Sequence, residues 1–182
     1  MRNLTLFILS LFFISCQQDV IPKPKAYLSL EYPQKTYQKL AIPRPYIFDV
    51  PKSSVLKDEQ HGWLKITYPA LKASIDITYR EVDDNLLELL KEAEKLVFKH
   101  TLKAEEITVK DFLDTKKKVF GSIYEITGNA ASQIQFHATD STKNFIKGSL
   151  YFYTKPNYDS VLPAVTYIKK DILRLMETLK WR

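Results

Sequence analysis

Ser132, His137 and Asp140 have the side-chain types of a nucleophile, its base and an orienting carboxylate. Their spacing argues against that chemistry. Ser132 and His137 are five positions apart on one expected strand. They therefore fall on opposite faces, about 16 Å apart. His61, His100 and His137 lie on three separate segments, and no pair has the spacing of a metal site. Gly62, Gly121, Gly128 and Gly148 are too scattered for a phosphate-cradling loop. The acidic pairs Asp83-Asp84 and Glu105-Glu106 are adjacent, so their carboxylates diverge or cap a helix. These residues point to no catalytic set, no metal and no cofactor.

One segment has more character. Residues 132–139 alternate Ile134, Phe136 and Ala138 with Gln133, Gln135, His137 and Thr139. The two glutamines and the histidine form a polar row, which Asp140 and Ser141 extend into a turn. The row reads either as a solvated sheet face or as a hydrogen-bonding surface for a partner or ligand. Amides and imidazole suit a wet interface better than a core. Trp63, beside Gly62, is a second candidate contact; burial in a core is its other reading.

The only cysteine, Cys16, carries chemistry of a different kind. Met1-Arg2-Asn3 gives a positive start, residues 4–14 are almost wholly apolar, and Ser15 precedes the thiol. That order is a secretory signal, 1–15, with the cysteine placed for acylation. The apolar run is shorter than the about 20 residues of a spanning helix. Phe13 stands where a lipobox usually has Leu. The expectation is a membrane protein held by lipid on Cys16. With the thiol used this way, a disulfide or a thiolate zinc site is excluded.

Removing residues 1–15 from the 182 leaves 167, enough for one domain and a tether. Hydrophobic content of 45% and aromatic content of 13% suffice for a core. Residues 17–45 carry Lys23, Lys25, Lys35, Lys39 and Arg44 against Asp19 and Glu31, a net +3. Residues 46–182 hold 21 basic and 19 acidic residues, so nucleic-acid binding is a poor fit.

The elements that must position these residues are legible in outline. Five of the nine prolines fall in 17–45, which reads as an extended lipidated arm, 16–45, feeding a globular domain, 46–182. Tyr27, Leu30, Tyr32 and Tyr37 are too apolar for a free linker, so part of the arm should pack on the domain. Strands are expected at 46–50, 63–68, 74–80, 118–127, 132–139 and 145–154. Leu64, Ile66 and Tyr68 share one face, as do Ile75, Ile77 and Tyr79. An amphipathic helix should start after Asp83-Asp84-Asn85 and run to about His100. Residues 101–117 read as less regular. A last helix, capped by Asp159 or Ser160 with Pro163 in its first turn, presents Val161, Val165, Ile168, Ile172, Leu175 and Leu179 and ends near Trp181. The expected class is α+β: an antiparallel sheet of about six strands flanked by two helices, order βββα-βββα.

Several segments together resemble the gliding motility lipoprotein GldD family. They are Pro22-Lys23-Pro24-Lys25-Ala26-Tyr27, Tyr68-Pro69-Ala70-Leu71-Lys72-Ala73-Ser74-Ile75 and Gly128-Asn129-Ala130-Ala131-Ser132 with Gln135-Phe136. Further matches are Thr139-Asp140-Ser141-Thr142-Lys143, Gly148-Ser149-Leu150-Tyr151-Phe152, Lys155-Pro156-Asn157-Tyr158-Asp159-Ser160 and the end, Met176-Glu177-Thr178-Leu179-Lys180-Trp181. The resemblance implies an envelope lipoprotein needed for gliding, with protein partners in the gliding apparatus and the type IX secretion machinery. It supplies no catalytic residues. It also implies that relatives can pair cysteines where this chain has Pro43-Arg44 and His61-Gly62. The order of elements resembles the Mog1/PsbP-like sandwich, in fold alone. Only one acid lies in Gln17-Gln18-Asp19-Val20, which favours the periplasmic side over the cell surface. The leading expectation is a non-enzymatic assembly or stabilising factor. A periplasmic enzyme and a peptidoglycan- or small-ligand-binding module stay open beside it.

Overall fold

A computed structural model describes residues 32–99, 103–155 and 157–182. The expected signal, Cys16, the arm up to residue 31 and His100 lie outside the described residues. Three short strands come first: β1 (Tyr37–Lys39), β2 (Tyr46–Ile47) and β3 (Asp49–Pro51). Then follow β4 (Val55–Asp58), β5 (Leu64–Tyr68), β6 (Ala73–Glu81) and helix α1 (Leu86–Phe98). Next are β7 (Ala104–Asp114), β8 (Val119–Gly128), β9 (Ser132–Thr139) and β10 (Asn144–Phe152). Helix α2 (Tyr158–Thr178) and the two-residue β11 (Lys180–Trp181) close the chain.

Seven strands form one sheet in the order β4-β5-β6-β10-β9-β8-β7, and every neighbouring pair is antiparallel. The class is α+β. One face carries Ile66, Ile75, Ile134, Phe136, Ile146 and Leu150, which pack with Val165, Ile168, Ile172 and Leu175 of α2. On the other face Leu89 and Ala93 of α1 pack with Phe145, and Val97 packs with Tyr124, Ile126 and Ala130. The middle of the sheet is thus covered on both sides. β9 is buried along its whole length.

The expected strand at 46–50 does not join this sheet. It splits into β2, which pairs with β11, and β3, which pairs with β1. Two strands missing from the sequence reading, β4 and β7, complete the main sheet. Residues 101–117 looked irregular because Glu105, Glu106, Lys110 and Asp111 interrupt the apolar pattern. Those charges sit on an outer strand, where most side chains meet water. The last helix also differs at both ends. Asn157 caps it by accepting from Ser160 N at 3.4 Å, Pro163 lies inside it, and it stops at Thr178.

The folded unit takes in the described part of the arm. Leu40 is fully buried in the main core. Lys52 N donates to Thr36 O, and Leu40 N to Phe48 O, both at 2.9 Å.

Candidate functional site

The polar row of β9 is not on a free surface, which corrects its reading as a solvated or partner-facing row. Gln133, Gln135 and His137 are 4%, 3% and 6% exposed. The cause is α1, whose apolar stripe covers this side of the sheet. His137 lies between Phe145, centroid distance 5.8 Å, and Tyr124, 5.9 Å. Both rings are themselves packed on α1. Gln133 Nε2 donates to Ala130 O at 2.8 Å, so its amide serves the turn before β9.

The environment of His137 gives it no catalytic partner. Burial pushes its pKa down, only partly opposed by the negative charge of Asp111. Ser122 sits opposite His137 in the β8–β9 register. Its Oγ donates to Asp111 Oδ1 at 2.9 Å, so its proton faces a carboxylate and not the imidazole. Ser132 Oγ donates to Ile134 O at 3.1 Å. Asp140 is a turn anchor: it accepts from Thr142 N, Lys143 N and Asn144 N, and from Asn144 Nδ2 at 2.7 Å. Burial opposes its charge, but these donors outweigh it and draw the carboxyl pKa down to about 2. His61 is exposed in a left-handed turn, φ 58°. Among the described residues no three His, Cys, Asp or Glu side chains gather as a metal site.

Trp63 does lie at the surface, 42% exposed. It is held from behind by the end of the arm. Arg44 pairs with Asp58 and donates to Glu59 O at 2.8 Å and Trp63 O at 3.2 Å. Tyr46 Oη donates to Gly62 O at 2.7 Å. Gly62 has φ +79°, and an added Cβ would sit 3.1 Å from the Tyr79 ring, so this tight turn favours glycine. Arg44 and Tyr46 therefore join, without a disulfide, the two segments that the resemblance would pair through cysteines.

Trp63 borders a cleft of about 160 Å³ between α1 and the sheet. Thr78, Arg80, Phe145 and Lys147 come from the sheet, Leu89 and Glu92 from α1. Lys147 closes it with an ion pair to Glu92 at 3.0 Å. The volume is below the roughly 300–1,000 Å³ of most ligand sites. Beyond α1 the same side of the sheet stays open. Tyr151 is 37% and Tyr153 55% exposed there, beside the Lys65–Asp76 ion pair at 3.0 Å. Strand parity places Trp63, Lys65, Asp76 and Tyr151 on that one side.

A buried polar cluster at Asp171 has no local signature in the sequence beyond one acid in a helix. Asp171 of α2 is 3% exposed. Lys35 Nζ and Tyr37 Oη meet its Oδ1 at 2.5 and 2.8 Å, and Tyr68 Oη meets its Oδ2 at 3.1 Å. Burial pulls the Lys35 pKa down against the attraction of Asp171. Burial first, and then Asp171, pushes both phenols up. Nearby Tyr32 stacks on Tyr167 at 4.5 Å, and Tyr167 Oη donates to Pro33 O at 3.1 Å. Both carboxylate oxygens are occupied, so Asp171 is a latch for the arm and no free base. An acid inside an otherwise apolar helical stripe, next to Ile172, is the signal that marked it.

The family model of the gliding motility lipoprotein GldD matches residues 17–181. No curated protein matches the chain. The chain belongs to the gliding motility lipoprotein GldD family, a family of lipoproteins tied to gliding.

Proposed function

We propose that the chain is an envelope lipoprotein that assembles or stabilises the gliding motility and type IX secretion machinery without catalysing a reaction. Lipid on Cys16 anchors it, and its folded unit faces the periplasm. One observation carries the non-enzymatic reading. Asp171 is engaged by three donors and Asp140 by a turn, while His137, whose buried Nδ1 has no partner, lies between two rings with no nucleophile or carboxylate bonded to it. The open side of the sheet instead presents Trp63, Tyr151 and Tyr153 around an ion pair. Exposed aromatics among polar groups are the composition of protein interfaces. The likeness to the Mog1/PsbP-like sandwich is offered as an analogy of architecture only.

A ligand-binding module is the second reading, favoured by the cleft between Trp63 and α1. Recovery of the lipidated protein from gentle detergent separates the two. The wild type should bring gliding or secretion components with it, and Trp63→Ala/Tyr151→Ala should lose them while melting normally. Equal recovery by both proteins would move the partner surface elsewhere.

A further inference from the structure

The two outer strands of the main sheet are unequal. β4 has four residues and β7 has eleven. An outer strand leaves a row of backbone N–H and C=O groups without a strand beyond it, and proteins usually shorten, bulge or cover such an edge. β4 is short; β7 is bulged only near its start and is otherwise guarded by charged side chains alone. From Ile107 to Asp114 it pairs with β8 in unbroken register; its one irregularity lies between Ala104 and Ile107. Among the described residues, no backbone group outside β8 bonds to the backbone of β7. Among the described residues, Thr127 Oγ1 to Glu106 O, 3.4 Å, is the one side-chain bond to that backbone.

The side chains of this edge have a definite character. Val109 is 51% and Leu113 74% exposed. They are four positions apart, so both lie on one side of the sheet. Glu105, Glu106, Asp111 and Asp114 stand against Lys110 alone. Asp114 is paired with Lys117 at 2.8 Å, and Asp111 accepts from Ser122. Glu105 and Glu106 have no ion pair among the described residues. The open acidic charge is therefore the Glu105-Glu106 pair near the start of the edge, with Lys103 before it and Lys110 further along the strand.

We propose that the outer edge of β7 takes an extended segment of a partner protein as an eighth, antiparallel strand. That segment carries cations opposite Glu105 and Glu106 and apolar side chains beside Val109 and Leu113. Backbone bonds supply the affinity of such strand addition, and the alternate side chains supply its selectivity. A second copy of this chain is a poorer occupant, because its own β7 brings the same acidic excess to the edge. Val109 and Leu113 share the sheet side of Trp63 but lie at the opposite edge of the sheet, so the inference is tested apart from the proposed function.

The probe is a capped peptide alternating Val and Thr, with two lysines at its C-terminal end. An antiparallel strand places those lysines opposite Glu105 and Glu106. A twin peptide carries glutamates there. Amide exchange of the full mature chain should slow across 107–113 with the lysine peptide, with affinity about tenfold weaker for the twin. Glu105→Lys/Glu106→Lys should reverse that preference without changing the melt, since both side chains are exposed. Leu113→Lys should weaken both peptides. No slowing at millimolar peptide, or equal slowing by both peptides, would overturn the proposal. Slowing without peptide that grows with protein concentration would make the occupant a second copy and also overturn it.

Discussion

Tyr68 and Asp171 are 103 positions apart, yet the phenol of one donates to the carboxylate of the other at 3.1 Å inside the core. Lys35 and Tyr37 reach the same carboxylate from the arm. One buried acid therefore ties together the sheet, α2 and the described part of the arm. Asp171→Ala would strip the buried Tyr68 phenol and the half-buried Tyr37 of their acceptor and leave the Lys35 cation only Tyr167 O. The expected cost is about 3–5 kcal/mol. A denaturant melt measures it, and proteolysis within 32–39 should accelerate. An unchanged melt would show that the latch contributes nothing to the folded unit.

His137 predicts a pH dependence with a definite sign. Its ordinary pKa is 6.5, and burial between Tyr124 and Phe145 lowers it in the folded chain. Below pH 6.5 the unfolded chain takes a proton that the folded chain resists. The stability is therefore complete above that pH and falls as the medium becomes more acid. His137→Leu should flatten the slope just below pH 6.5, seen as a smaller loss of melting temperature than in the wild type. Parallel slopes would mean that the imidazole titrates freely. Gln135→Ala/His137→Ala removes buried volume and should cost about 2–5 kcal/mol.

Sequence parity placed the faces of the strands but not what covers them. Leu64, Ile66 and Tyr68 were assigned together, and all three are buried. The same alternation in β9 was read as apolar-in and polar-out. It fails there because α1 covers the polar side, and a strand's period does not report a helix laid over it. β7 stayed hidden because its charges break the apolar signal. The contact of Asp171 with Tyr37 spans 134 positions, beyond any local pattern. Of the site residues, Trp63 lies at the surface, His137 is core and Asp140 holds a turn.

Gly148 lies under the Phe136 ring. A Cβ built there would come within 2.1 Å of Phe136 Cζ. Gly148→Ala should destabilise by about 1–3 kcal/mol. Phe136→Leu in the same chain should make the alanine less costly than it is alone, a coupling that a double-mutant cycle reads. Strict additivity would mean that the backbone yields instead of the ring.

The anchor proposed at Cys16 has a direct test. Acyl chains contribute about 0.8 kcal/mol per buried CH₂, so several of them exceed what stable anchoring needs. Cys16→Ser should release the protein from membranes or leave an uncut precursor, as fractionation and mass determination report. A processed Cys16→Ser protein that stays on the membrane would refute lipid anchoring at this residue.

On the proposed function the molecule acts through an exposed face and not through a reaction. Complementation of gliding in a strain lacking the protein tests it most directly, with two variants compared. Trp63→Ala/Tyr151→Ala alters the open side of the sheet, and His137→Gln/Asp140→Asn alters the groups best suited to proton transfer. With both variants confirmed as folded and lipidated, the first should abolish gliding and the second should support it. Loss of gliding in the second with full gliding in the first would contradict the account and restore a catalytic reading.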